Sequence, residues 1–324
     1  MKPLPKPPLA PAPPLVLPEG CDEVLHLIGS TRLGDFLSFA REQADLSAAR
    51  TGRGEAVTLI DLAETWRDAA TIYEKLGKHD PYPAQVPEVF PLPDGMRRHC
   101  DELLSKAHIQ REFNLVPVAL GMVPLAHVIA MQPRINMATA RSVKFADGSL
   151  SDEALAAMCL PLDAPPHSLR VLEQNSGGVT FTADNHDVRF LIAQVVPGSA
   201  VTLSGRGHID QVLALPVGFS SNVLNVVRFK DRLVLNNGYH RALALWKRGV
   251  LHAPAIIHVC RHWEDVALAG ASEIYDNAPV YFERARPPLL KDFVDRRLCV
   301  SLAVVRARKY VRIRYQVETG YLRD

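Results

Sequence analysis

Most of the signatures that identify a function at sight are missing from this chain. Its five cysteines (Cys21, Cys100, Cys159, Cys260 and Cys299) are widely spaced and form no Cys-x-x-Cys pair. That argues against a zinc knuckle or a disulfide framework and fits reduced thiols in a cytoplasmic protein. No apolar run reaches the roughly 18 residues of a membrane span, so no membrane partner is expected. Charge of one sign is not in excess: 37 Lys and Arg against 35 Asp and Glu leave a net +2, which as a total points to no partner. Neither a Gly-x-Ser-x-Gly elbow nor a Walker-type phosphate loop occurs, and Ser204-Gly205-Arg206-Gly207 has neither spacing. A secretory signal needs an uninterrupted apolar core, which eight prolines among the first 18 residues deny.

What remains is an ordinary globular composition, 48% apolar and 22% charged, in a chain of 324 residues. That length holds a sizeable core as one large domain or two small ones. The fold expected is mixed α/β. Residues 1–18 form a Pro-rich, polyproline-like arm. Residues 19–115 read as helical: Leu59, Leu62, Trp66, Ala69, Ile72 and Tyr73 recur at helical spacing over Thr58–Leu76, and Met96, Cys100, Leu103 and Leu104 do so over Asp94–Gln110. Five prolines between Pro81 and Pro93 separate the two. Residues 116–265 hold the α/β core, with strands over Val179–Thr182, Val188–Val196 and Pro254–Val259. A short helix over Asp152–Met158 is capped by Ser151. Residues 266–324 form a strand-rich basic extension.

The richest stretch runs from Val223 to Gly249. An apolar run to Phe229 meets a polar turn at Lys230, Asp231 and Arg232. A second run, Leu233–Leu235, enters Asn236-Asn237-Gly238, and Tyr239–Arg248 reads as a helix closed by Gly249. A hairpin, a glycine turn and a helix start in this order put His240 and Arg241 in the first helical turn. The helix dipole and its N-terminal amides favour an anion there. Gly238 permits a positive φ or a close backbone approach. Arg241 has the planar fork that grips a phosphate. Strand, helix and strand in succession imply a crossover unit with the ligand at the strand-end loops.

The segment Asn237-Gly238-Tyr239-His240-Arg241-Ala242 resembles the strand–turn–helix motif of the ParB/sulfiredoxin-like superfamily. Val123–Arg134, ending Gln132-Pro133-Arg134, resembles the opening strand of its partition proteins. The resemblance implies a nucleotide-phosphate site, with Asn237, Gly238 and Tyr239 cradling phosphates and Gln132 and Arg134 reaching the same pocket. It further implies that Arg241 pairs with the phosphate charge and that His240 acts as a hydrogen-bonding or acid group. The cofactors would be a nucleoside triphosphate and Mg²⁺, and the chemistry hydrolysis or phosphoryl transfer, in an enzyme or a switch. Three departures narrow it. Partition proteins usually carry Glu-Arg-Arg after the glycine where this chain has Tyr239-His240-Arg241, so a histidine replaces one of two phosphate-binding arginines. Sulfiredoxins carry a cysteine where this chain has Tyr239, which argues against sulfinic-acid reduction there. Partition proteins continue into a helix-turn-helix, whereas the residues after 260 turn strand-like, which argues against chromosome segregation.

A rival reading starts from the C-terminus. From Arg284 to Asp324 there are 11 Lys and Arg against four Asp and Glu. Arg306, Arg308, Arg312 and Arg314 share parity around Tyr310, so one continuous strand would present a ladder of arginines. Such a ladder suits a DNA or RNA backbone, with Tyr310 offering a stacking surface, as in a nucleic-acid-binding protein or ParB-like nuclease. A solvated, ion-paired strand face is the other reading of the same residues. His252, His258, Cys260 and His262 read as core or surface groups and not as a metal site. Asp184, His186 and Asp187 read as a polar turn. Glu173, Asp184, Asp187 and Asp231 are candidate bases only as carboxylates near the expected core.

Overall fold

A computed structural model describes residues 17–51, 58–145, 150–163, 168–184, 188–191, 193–202, 207–269, 274 and 277–322. The chain is mixed α/β and divides into two compact units. One comprises residues 1–163 and 222–306, the other residues 164–221 and 307–324. In chain order the first unit contributes β1 (Cys21–Leu27), α1 (Leu33–Thr51), α2 (Leu59–His79), α3 (Asp94–Ser105), α4 (Ala107–Glu112), β2 (Val118–Pro124), β3 (Val128–Ala130), β4 (Arg134–Asn136), α5 (Met137–Arg141) and α6 (Asp152–Cys159). The second contributes β5 (Leu169–Asn175), β6 (Gly178–Ala183), β7 (Arg189–Phe190), β8 (Gln194–Pro197), β9 (Gln211–Ala214) and β10 (Val217–Gly218). The chain re-enters the first unit for β11 (Asn225–Phe229), β12 (Arg232–Asn237), α7 (Tyr239–Lys247), β13 (His252–Cys260), α8 (Trp263–Ala269), a short helix (Ala278–Phe282) and β14 (Cys299–Val305). It ends in the second with β15 (Tyr310–Arg314).

These units cut across the divisions expected at 19–115, 116–265 and 266–324. The region expected to be helical begins with a strand, because Cys21–Leu27 pairs antiparallel with β14 from the far end of the chain. Such a partner is invisible to a local helical pattern. The basic stretch 266–324 does not stay together: β14 lies in the first unit and β15 in the second.

The first unit is built on a five-stranded sheet in the order β2-β13-β11-β12-β3. It is buried on both faces, and its strand residues alternate between two cores. Val226, Leu233 and Leu235 enter the larger cluster, while Val227 and Val234 enter the smaller. Near-continuous apolar stretches such as Ala253–Ile257 of β13 are what a doubly covered sheet requires. β11 and β12 are an antiparallel hairpin whose turn is Lys230-Asp231, with Lys230 at φ +52°. The chain then crosses through α7 to β13, which runs parallel to β11 rather than to the preceding β12. The expected crossover is therefore real in order but not in pairing: it spans β12 and α7 together. β12 instead finds a parallel neighbour in β3, with Leu233, Val234 and Leu235 opposite Val128, Ile129 and Ala130.

The helices form as their patterns predict. α2 and α3 bury the stripes Ala63, Ala69, Tyr73 and Met96, Cys100, Leu103. Ser151 caps α6, its Oγ accepting from the Ala154 N–H at 3.2 Å. In the second unit, β5, β6 and β15 make an antiparallel sheet in the order β15-β6-β5. Two smaller ladders, β8–β9 and β7–β10, accompany it.

Candidate functional site

The β12–α7 turn is where the two segments of the resemblance meet. Gly238 is the N-cap of α7 at φ +96°, a left-handed conformation that side chains resist. A Cβ added there would also stand 3.1 Å from the Leu224 Cα. Gly238 is thus required twice over, and its bare Cα is occupied by the neighbouring chain. The Asn237 side chain folds back on its own backbone, its Oδ1 accepting from the Gly238 N–H at 2.8 Å just before the helix. The helix begins where the Ala242 N–H bonds the Gly238 carbonyl.

Tyr239 does not face outward. Its ring is 4% exposed, and its hydroxyl accepts from the Met131 N–H at 2.9 Å and the Gln132 N–H at 3.1 Å while donating to the Leu235 carbonyl. This phenol knots the end of β3 to the end of β12 beneath the helix. Gln132 lies near the turn, and meets Tyr239 through its backbone N–H. Arg134 reaches elsewhere. It pairs with His26 across the β1–β4 ladder, and its guanidinium lies 4.2 Å over the Phe39 ring of α1.

Arg241 is the clearest correction. Its Nη1 donates to the carbonyls of Met158 at 3.1 Å, Cys159 at 3.3 Å and Asn222 at 2.6 Å. Its Nη2 donates to the Asn222 Oδ1 at 2.9 Å. Burial pushes its pKa down, with the neighbouring Cys159 opposing. A guanidinium fork turned onto four of the protein's own oxygens, two of them at the surface, serves as a framework group. Met158 and Cys159 end α6, close to where the chain leaves the first unit, and Asn222 is where it returns. The Leu224 N–H bonds the Cys159 carbonyl at 2.7 Å beside them. Arg241 staples exit to re-entry.

Asn225, unremarked in the sequence, lies opposite Asn237 in the β11–β12 ladder, 3% exposed. Its Oδ1 has no hydrogen-bond partner among the described residues. Its position just inside an apolar run gave no signal. The candidate bases lie away from the turn. Asp231 is at the opposite end of β12, and Glu173 and Asp184 belong to the second unit. His186 and Asp187 lie outside the described residues.

The arginine ladder is broken. Arg306 ends the first unit, its Nε 2.6 Å from the Asp22 carboxylate. Arg308 precedes β15 and pairs with Asp184 at 3.0 Å. Residues 306–309 are not a strand, so shared parity does not place them on one face. The alternation holds only over β15, where Tyr310, Arg312 and Arg314 are exposed and Val311 and Ile313 are half-buried.

Among the described residues no group of three His, Cys, Asp or Glu side chains is placed to hold a metal. His258 is buried and stacked on Phe113 at 5.2 Å, and burial lowers its pKa to about 4, a neutral core histidine. Among the described residues no helix is long and apolar enough to cross a membrane. No protein-family model matches the chain, and neither a curated protein nor a solved structure matches it.

Proposed function

We propose that the chain is a nucleotide-phosphate-binding protein of the ParB/sulfiredoxin-like kind, an NTP-dependent enzyme or switch whose ligand meets the N-terminus of α7. One observation carries this reading. The parallel β3–β12 pairing and the Tyr239 hydroxyl bring Gln132 and His240, from segments more than 100 residues apart, to one helix start. That is the arrangement a phosphate loop needs, a helix N-terminus flanked by a second strand end. The contacts differ from those first expected. Arg241 holds the framework, so the anion is met by first-turn amides and His240, with the Gln132 side chain beside them. The buried Asn225 Oδ1, opposite Asn237, is a spare acceptor on the neighbouring strand. Among the described residues no carboxylate set for Mg²⁺ accompanies the turn, and the ion would arrive on the nucleotide's own phosphates.

The test is a thermal-shift series with ATP, ADP, CTP and GTP, with and without Mg²⁺, on wild type and on His240→Ala and Gln132→Ala. A ligand at 100 times its Kd stabilises by about 2.7 kcal/mol. A shift with one nucleotide, reduced in both variants, is the expected result. No shift with any nucleotide at millimolar concentration, or equal shifts in all three proteins, refutes the assignment.

A further inference from the structure

One face of the β15-β6-β5 sheet is hollow for a reason the register makes plain. Across the three strands the rows on this face are Tyr310–Thr182–Arg170, Arg312–Thr180–Glu173 and Arg314–Gly178–Asn175. The central strand carries the small members of each row. At Gly178 it can carry nothing larger, because a Cβ there would stand 2.3 Å from the Ile313 carbonyl. Long side chains therefore rise on both sides of a floor of threonine and glycine. The resulting trough of about 300 Å³ is lined by Arg312, Arg314, Thr180, Glu173 and Asn175. Two strand spacings make it about 10 Å wide.

The walls differ chemically. On the β5 side, Asn175 donates to Glu173 at 3.0 Å, and its Oδ1 accepts from the Gly177 N–H at 2.9 Å. Glu173 forms no ion pair with either arginine across the floor, among the described residues. On the β15 side, Arg312 gives only its Nε, to Thr180 Oγ1 at 3.0 Å, and its guanidinium lies 5.4 Å from the Tyr310 ring centre. The Arg314 side chain has no hydrogen bond or ion pair among the described residues. Tyr310 is 58% exposed. Two guanidiniums in file, about 7 Å apart along the strand, stand next to a tyrosine ring that is more than half exposed, with Arg312 over one side of it.

We infer that this trough binds single-stranded nucleic acid, with successive phosphates on Arg312 and Arg314, one base on the floor towards Glu173 and another stacked on Tyr310. Guanidiniums grip phosphate oxygens in pairs, and a tyrosine face accepts any base. A carboxylate on the far wall accepts from a base amino group. A concave sheet face of this width admits one nucleotide chain, whereas duplex grooves are read by a projecting helix or ribbon. The inference is independent of the α7 loop, which lies in the other unit.

The test uses the full chain and fluorescent 12-mers of dC and rC, whose bases carry the amino group that Glu173 would accept from, followed by anisotropy between 50 and 200 mM salt. Each phosphate contact contributes a slope of about 0.7 in log K against log salt. Arg314→Gln, which breaks no described bond, should flatten the slope by about 0.7, and Arg312→Gln with Arg314→Gln by about 1.4. Tyr310→Ala should weaken binding about 5- to 150-fold and leave the slope alone. His240→Ala should bind as wild type, which separates this result from the nucleotide reading. No saturable binding of either single strand at 50 mM salt would overturn the inference. So would an unchanged slope in the arginine variants, tighter binding of a 12-bp duplex, or equal competition by free mononucleotide.

Discussion

Replacing Arg241 by alanine should damage the fold before it damages any ligand site. The side chain satisfies four acceptors, three of them main-chain carbonyls where α6 ends and where the chain re-enters the first unit. Hydrogen bonds from a charged donor are worth about 1.5–3 kcal/mol each, and they do not add when they share one group. The acceptors are neutral and the contacts part-buried or exposed, so truncation strands carbonyls but no charge, and a loss of about 1–3 kcal/mol is expected. Urea unfolding followed by circular dichroism, with no ligand present, measures it directly. The m-value should be unchanged, so that the whole effect is in the midpoint. Arg241→Lys should recover less than half, because an ammonium cannot bridge Met158, Cys159 and Asn222 from one planar fork. A loss below about 1 kcal/mol in Arg241→Ala, with the fold intact, would refute the staple and return Arg241 to the phosphate role.

Other outcomes follow from the same geometry. Tyr239→Phe keeps the ring but leaves the Met131 and Gln132 amides without their acceptor, and should cost about 1–3 kcal/mol by urea unfolding. Gly238→Ala meets both the positive φ and the Leu224 backbone, and should lose about 2 kcal/mol or more by the same measurement. Asp292→Asn breaks the buried pair with Arg286, held at 2.7 Å, and loosens the bond from the Tyr73 hydroxyl; a drop of about 3–5 kcal/mol is expected, read as a fall in Tm. His26 and His258 are held by burial at a pKa of about 4, below the ordinary 6.5, so the unfolded chain takes up protons first as pH falls. Stability should be flat above pH 6.5, fall between 6.5 and 4, and lose about 2 kcal/mol per histidine at pH 5. His258→Phe should make that fall shallower, and equal pH profiles would disprove the assignment.

Much of the first unit was legible because its signals are local. The hairpin at Lys230-Asp231, the glycine turn and the helix after it follow from apolar runs, one turn and a positive φ that only glycine tolerates well. The adjacency of β3 and β12 came from the resemblance, and the register of Val128–Ala130 against Leu233–Leu235 agrees with it. What was not legible depends on partners far along the chain. Cys21–Leu27 became a strand through β14, and residues 164–221 and 307–324 gathered into a unit of their own. The hairpin Asn175-Ser176-Gly177-Gly178 was within reach, since a two-residue Ser-Gly turn joins β-rich runs on either side. Reading it would have set Gly178 opposite Asn175, one wall of the hollow; the other wall, Arg314, comes from β15 far along the chain.

The arginines teach the sharper lesson, because motif and parity treat every guanidinium alike. An arginine cannot shed its proton, so a buried one must find acceptors inside the protein, and those acceptors decide what it does. Arg241 was assigned to a phosphate by its place in a helix's first turn. Asn222 and the end of α6, 82 or 83 residues before it, supply the oxygens it holds instead. Arg306 and Arg308 were assigned to a backbone by alternation, and Asp22 and Asp184 claim them. Arg312 and Arg314 keep most of their donors because their sheet neighbours are threonine, glycine and an asparagine already engaged with Glu173. Which arginine can meet a phosphate is therefore settled by the side chain across the strand, a property of register that spacing along the chain does not carry.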